Sequence, residues 1–188
     1  MSVYEDKIFD GEVYNEGLFD EIFDYCTFSN CNFSEAKVIS CQFNDCSFDN
    51  CNLSIADLTQ STLNNASFRN CKIMGVKFNH CNDFIFEVNF DNCILDYSSF
   101  EKRKMSKTIF NNCSLKGADF GEADLRQSKF TGCDLNETIF YNTNIQEADF
   151  TSACNYTIDL TQNKIKKARF SKDGLTGLLN HFNIIIED

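Results

Sequence analysis

Large apolar residues recur at every fifth position along most of this chain. In a first frame they fall at Phe23, Phe28, Phe33, Val38, Phe43, Phe48, Leu53, Leu58, Leu63, Phe68, Ile73 and Phe78. A second frame runs from Phe90 through Leu95, Phe100, Met105, Phe110, Leu115, Phe120, Leu125, Phe130, Leu135, Phe140, Ile145 and Phe150, then Asn155, Leu160, Ile165 and Phe170. Asn155 is the one polar centre. Two positions before most centres stands a small residue, as at Cys31, Ala56, Cys93, Ala118 and Ala148, with Arg103, Ile158 and Asn163 as exceptions. The other positions are mostly polar.

A period of five matches neither the helical period of about 3.6 nor the strand period of 2, so no ordinary amphipathic element puts these side chains on one face. A coil with corners does. Four five-residue units close a square turn, with the large residue filling the interior and the small one beside it, and stacked turns pair as parallel strands about 4.8 Å apart. Recurrence at four units supports this: Phe90, Phe110, Phe130, Phe150 and Phe170 form one column, and Cys31, Cys51 and Cys71 another. The count predicts roughly seven coils in a stack about 35 Å tall.

Units such as Ala118-Asp119-Phe120-Gly121-Glu122 and Ala123-Asp124-Leu125-Arg126-Gln127 resemble the pentapeptide-repeat family, in which Cys and Phe commonly substitute. The resemblance implies an all-β solenoid, a right-handed quadrilateral parallel β-helix. On this reading residues 1–17 are an irregular N-terminal cap and first coil, 18–170 the β-helix, and 171–188 a C-terminal helix and strand serving as cap and dimerisation element.

Three stretches leave the repeat, and departures are where a solenoid carries function. Residues 79–89 hold a two-residue insertion. It reads either as a surface loop offering Asp83, Phe84, Phe86 and Glu87 to a partner, or as a corner distortion with both rings in the core. The run Glu101-Lys102-Arg103-Lys104-Met105-Ser106-Lys107 keeps the frame and reads as a solvated charged face, with partner contact the alternative. Beyond Phe170, Leu175, Leu178, Leu179 and Phe182 have helical spacing, with Ser171 or Asp173 as N-cap, and Asn183 to Asp188 reads as a short strand. An open solenoid end needs covering, so Leu175, Leu178, Leu179, Phe182, Ile184 and Ile185 are expected to cap the stack, to form a dimer interface, or both.

This ending, and the opening from Lys7 to Phe28, are similar to the quinolone-resistance (Qnr) branch of the family. That similarity implies protection of DNA gyrase and topoisomerase IV from fluoroquinolones by a DNA-like rod, and a homodimer through the C-terminus. The long projecting loops of several Qnr proteins are absent here.

Charge changes the picture in one respect. The net charge of −11 argues against direct nucleic-acid binding. Residues 1–24 carry eight acids and one lysine, while Asp119, Glu122, Asp124, Asp134, Glu137, Glu147, Asp149 and Asp159 face only Arg126 and Lys129 over their span. Those eight are the candidate contacts to a cationic topoisomerase surface, with solvated consensus acids as the alternative. The chain shows no signal peptide and no membrane span, which predicts a cytoplasmic protein. Its eleven cysteines contain no Cys-x-x-Cys pair and are expected as reduced core thiols rather than disulfides or zinc ligands. With two histidines and no Gly-rich phosphate loop, no enzyme, metal or cofactor is expected. The reading is a non-catalytic DNA mimic that binds a type II topoisomerase; the alternative is an interaction scaffold for an unrelated protein.

Overall fold

The computed structural model, which describes residues 1–185, is a parallel β-solenoid with one short C-terminal helix. Thr27–Ser29 pairs with Ser47–Asp49, which pairs with the long strand Thr62–Arg69, and that with Phe86–Asp91. Ile109–Asn111 and Lys129–Thr131 continue the ladder. Every pairing is parallel, and Phe28↔Phe48, Phe90↔Phe110 and Phe110↔Phe130 show the recurrence of the centres directly. Pairing begins earlier than the repeat: Val3–Glu5 lies on Ile22–Asp24, and Ile8–Asp10 on Thr27–Ser29.

The centres point inward. From Phe28 to Phe150 the Phe column is almost wholly buried. Its rings stack at 4.8 Å between Phe28 and Phe48, 4.9 Å between Phe110 and Phe130, and 4.7 Å between Phe130 and Phe150, each pair within about 10° of parallel. A second column, Phe78, Phe100, Phe120 and Phe140, meets the first edge-on, as Phe110 and Phe120 do at 5.7 Å and 81°. Offset stacking along a column with T-shaped contacts across the interior suits the ring quadrupole, so phenylalanine serves both directions.

The corners explain the polar residues. Two positions after the centre the backbone turns left-handed, at Asn30, Asn50, Asn70, Asn92 and Asn112 with φ of 50–55°. Asparagine tolerates this region better than other side-chain-bearing residues. The corner N–H groups donate onward, as Asn30 does to the Asp49 carbonyl at 2.9 Å. Proline has neither the φ nor the N–H for such a position, so it is excluded from these corners.

All eleven cysteines are free, ten of them buried. Most of the thiols donate to carbonyls of the preceding coil, as Cys51 does to Phe28 at 3.3 Å and Cys71 to Phe48 at 3.4 Å. Burial pushes Cys31 up to about 11 and Cys46 up to about 12, so both are protonated donors at neutral pH.

Three expectations change in detail. Asn155 is exposed with φ 59°, and Tyr156 takes the inward place beside Phe150 and Phe170. The helix, α1, spans Leu175–Leu179 and runs into a 3-10 turn at Asn180–Phe182. Its N-cap is Gly174 rather than Ser171 or Asp173, although the Ser171 hydroxyl accepts the Gly174 N–H at 3.1 Å. Asn183 to Ile185 form no strand, and the remainder of the expected strand, Ile186 to Asp188, lies outside the described residues.

Candidate interaction surfaces

The acids of the C-terminal half stand on every side of the rod. Asp119, Asp124, Asp134 and Asp149 each sit between the small and large residue of a unit. Each bridges a different ladder: Ser99–Asp119–Ile139, Lys104–Asp124–Asn144, Ser114–Asp134–Cys154 and Lys129–Asp149–Arg169. Glu122, Glu137 and Glu147 occupy left-handed corners with φ of 57–60° and are exposed. Asp159 is half-buried beside the C-terminal turn, 3.3 Å from His181.

Several of these carboxylates already have cations. Arg126 grips Asp124 through Nε at 2.9 Å and Nη2 at 2.7 Å; Lys116 reaches Asp134 at 3.2 Å and Arg169 reaches Asp149 at 2.8 Å. Partial burial disfavours the ionised forms of Asp124, Asp134 and Asp149, but the hydrogen bonds and positive neighbours outweigh it and hold all three below the usual carboxylate range. Asp159 is held low chiefly by the Thr161 hydroxyl. Glu122 lies 3.7 Å from Lys102. Among the described residues Asp119, Glu137 and Glu147 form no ion pair. Neither do the eight acids of the N-terminal end, Glu5, Asp6, Asp10, Glu12, Glu16, Asp20, Glu21 and Asp24, so this end carries the larger uncompensated field.

The insertion divides its two aromatic residues. Phe86 is buried at 7% exposure against Phe78, while Phe84 is 95% exposed and Ile85 44%. Asp83 and Glu87 are exposed. Register shifts between Phe86 and Val88, where these two steps oppose the three from Leu63 to Ala66 on the neighbouring strand. Arg103, expected on a solvated face, is buried at 3% exposure beneath this loop. Its guanidinium donates to carbonyls on either side of the loop's first residues, those of Phe78, Cys81 and Asn82. The signal was present in the sequence: Arg103 breaks the small-residue rule one coil after Asp83, and the two are joined at 3.0 Å.

At the C-terminus Leu178 is buried and Leu179 half-buried, whereas Leu175, Phe182, Ile184 and Ile185 are exposed at 50, 51, 55 and 89%. Capping is thus carried by Leu178 and Leu179, and the other four face outward. Among the described residues no group of three or more His, Cys, Asp or Glu side chains is placed to hold a metal ion, and no helix is long and apolar enough to cross a membrane.

A four-sided parallel solenoid with a single capping helix defines the class of protein. The family model described as a pentapeptide repeat region matches residues 21–100 and 103–178, most of the chain, and the protein belongs to that family. Two solved structures of trypsin-treated variants of QnrB1, a plasmid-mediated fluoroquinolone resistance protein, share the fold. One superposes with a TM-score of 0.74 at 18% identity, covering 98% of this chain and 99% of that one. The other has a TM-score of 0.65 at 21% identity, covering 98% and 100%. No curated protein sequence matches the chain.

Proposed function

We propose that this protein is a non-catalytic, DNA-mimicking ligand of a type II topoisomerase, DNA gyrase or topoisomerase IV, and that it protects the enzyme from fluoroquinolones. The observation that carries the reading is the end-to-end correspondence of fold with a fluoroquinolone resistance protein, over 98% of this chain and 99% of that one. Charge supports it, because a rod of net charge −11 suits a surface built to hold phosphates. Within that reading Asp119, Glu137 and Glu147, free of cations, are the stronger contacts among the C-terminal acids. Asp124, Asp134 and Asp149 present local pairs whose field is largely spent. Leu175, Phe182, Ile184 and Ile185 form the seam of a homodimer. Purified protein titrated into a gyrase supercoiling assay, with and without a fluoroquinolone, tests the proposal. Restored supercoiling in the presence of drug is expected, weakening as salt rises; no inhibition and no protection across a wide concentration range would remove the topoisomerase reading. The exposure of Phe84 favours a second reading, a scaffold whose partner is unrelated to topoisomerases.

A further inference from the structure

The burial of Arg103 sets it apart from the other cations in its run, which all reach solvent. A guanidinium in the interior is costly unless its N–H groups are satisfied. Here four of its five donors find acceptors. Nε donates to the Phe78 carbonyl at 2.7 Å, Nη1 to the Asn82 carbonyl at 2.9 Å and to Asp83 Oδ1 at 3.0 Å, and Nη2 to the Cys81 carbonyl. The cation also lies 5.0 Å from the centroid of the Phe86 ring. Three carbonyls spread over Phe78 to Asn82 therefore converge on one planar group, which fixes the path of the chain into the insertion. The Asp83 side chain is 93% exposed, so its ion pair is screened and secondary.

What this frame holds out is apolar. Phe84 follows directly, its N–H bonded to Asn82 Oδ1 at 2.9 Å, and its ring is almost fully in water. Phe84, Ile85 and Glu87 line a groove of about 430 Å³ together with Lys104 and Lys107. Neither lysine has an ion-pair partner among the described residues.

We propose that Arg103 is a positioning residue that presets the 79–89 insertion in one conformation. Phe84 then stands as an anchor for an apolar pocket on a partner protein, with acidic groups at that pocket's rim answering Lys104 and Lys107. A loop held in its binding conformation avoids the ordering cost a floppy one meets on association. The positioning claim is independent of the topoisomerase reading; only the choice of gyrase as probe below rests on it.

Hydrogen exchange on the protein alone tests the positioning. Amides of residues 79–89 should exchange roughly tenfold faster or more in Arg103→Met, and to an intermediate degree in Arg103→Lys, whose compact ammonium cannot span three carbonyls. They should be nearly unchanged in Asp83→Asn, with coils distant from the loop unaffected in all three. Equal loop exchange in wild type and Arg103→Met overturns the proposal. If Arg103→Met does not fold, the wild type decides: loop amides exchanging as fast as an unstructured peptide overturn it equally. The anchor is tested with purified gyrase and Phe84→Ser, which leaves every Arg103 bond in place. Binding weaker by roughly tenfold or more supports it. Equal binding by both proteins overturns the anchor while the topoisomerase reading stands. A wild type that does not bind gyrase removes that reading and the anchor's role toward this enzyme, and the exchange result still decides the positioning.

Discussion

At the scale of single residues the solenoid is governed by what each place in the unit tolerates. The left-handed corner is the strictest. Asn, Asp and Gly meet it at little cost, but Ile55 sits there with φ 60°, a β-branched residue whose Cβ crowds the following carbonyl. Its side chain is 64% exposed and lies over Gly75, so burial returns little of that strain. Ile55→Asn should therefore stabilise the protein by about 1 kcal/mol, read as a raised midpoint in urea with an unchanged slope. A lowered midpoint would show that the packing of Ile55 on Gly75 outweighs the backbone strain.

Elements here are coils and the cap that closes them, and the cap docks backbone to backbone. The Ile158 N–H donates to the Gly177 carbonyl at 3.1 Å. A Cβ on Gly177 would run into the Tyr156 carbonyl, and one on Gly174 into the Tyr156 hydroxyl. Gly177→Ala must push α1 off the last coil, at a cost of about 1–3 kcal/mol. Faster hydrogen exchange confined to residues 175–182, with the coils before Phe150 unchanged, is the expected signature; an unaltered cap would mean that the coil end yields instead. The same contact marks the limit of what the sequence displayed. The five-residue period located nearly every core side chain because burial in a square interior is a strict filter on size. It missed at Asn155, where the fit of the cap onto Tyr156 overrides the frame. The helix was legible from the spacing of Leu175, Leu178 and Leu179, but its Gly174 cap was not, because the glycine answers to the space beside Tyr156 and not to capping chemistry. Arg103 stayed hidden for a related reason: its role is defined by a loop one coil away, and only pairing departures at coil spacing, Asp83 with Arg103, exposes it. The acidic candidates were visible as residues, and Arg126, two positions from Asp124, was visible beside them; the pairing of Lys116 with Asp134 and of Arg169 with Asp149 emerged only once the coils were stacked.

For the whole molecule, those pairs decide how charge bears on stability. Asp49, Asp124, Asp134, Asp149 and Asp159 are all held below the ordinary carboxylate range in the folded chain. A carboxyl whose folded pKa is depressed stabilises the protein fully above its unfolded value, about 3.9 for Asp. That contribution is lost as pH falls toward the folded value, because the unfolded chain then binds protons the native one refuses. Melting temperature followed from pH 7 down to about pH 2 should hold at first and then fall once the pH drops below about 4. Charge-neutral replacement in the first coil, Glu5→Gln with Asp6→Asn and Glu12→Gln, should raise the melting temperature at pH 7 by lowering the net charge and leave the acid limb in place. Loss of the acid limb in that variant would locate the pH-sensitive stability in the first coil and not in the paired aspartates.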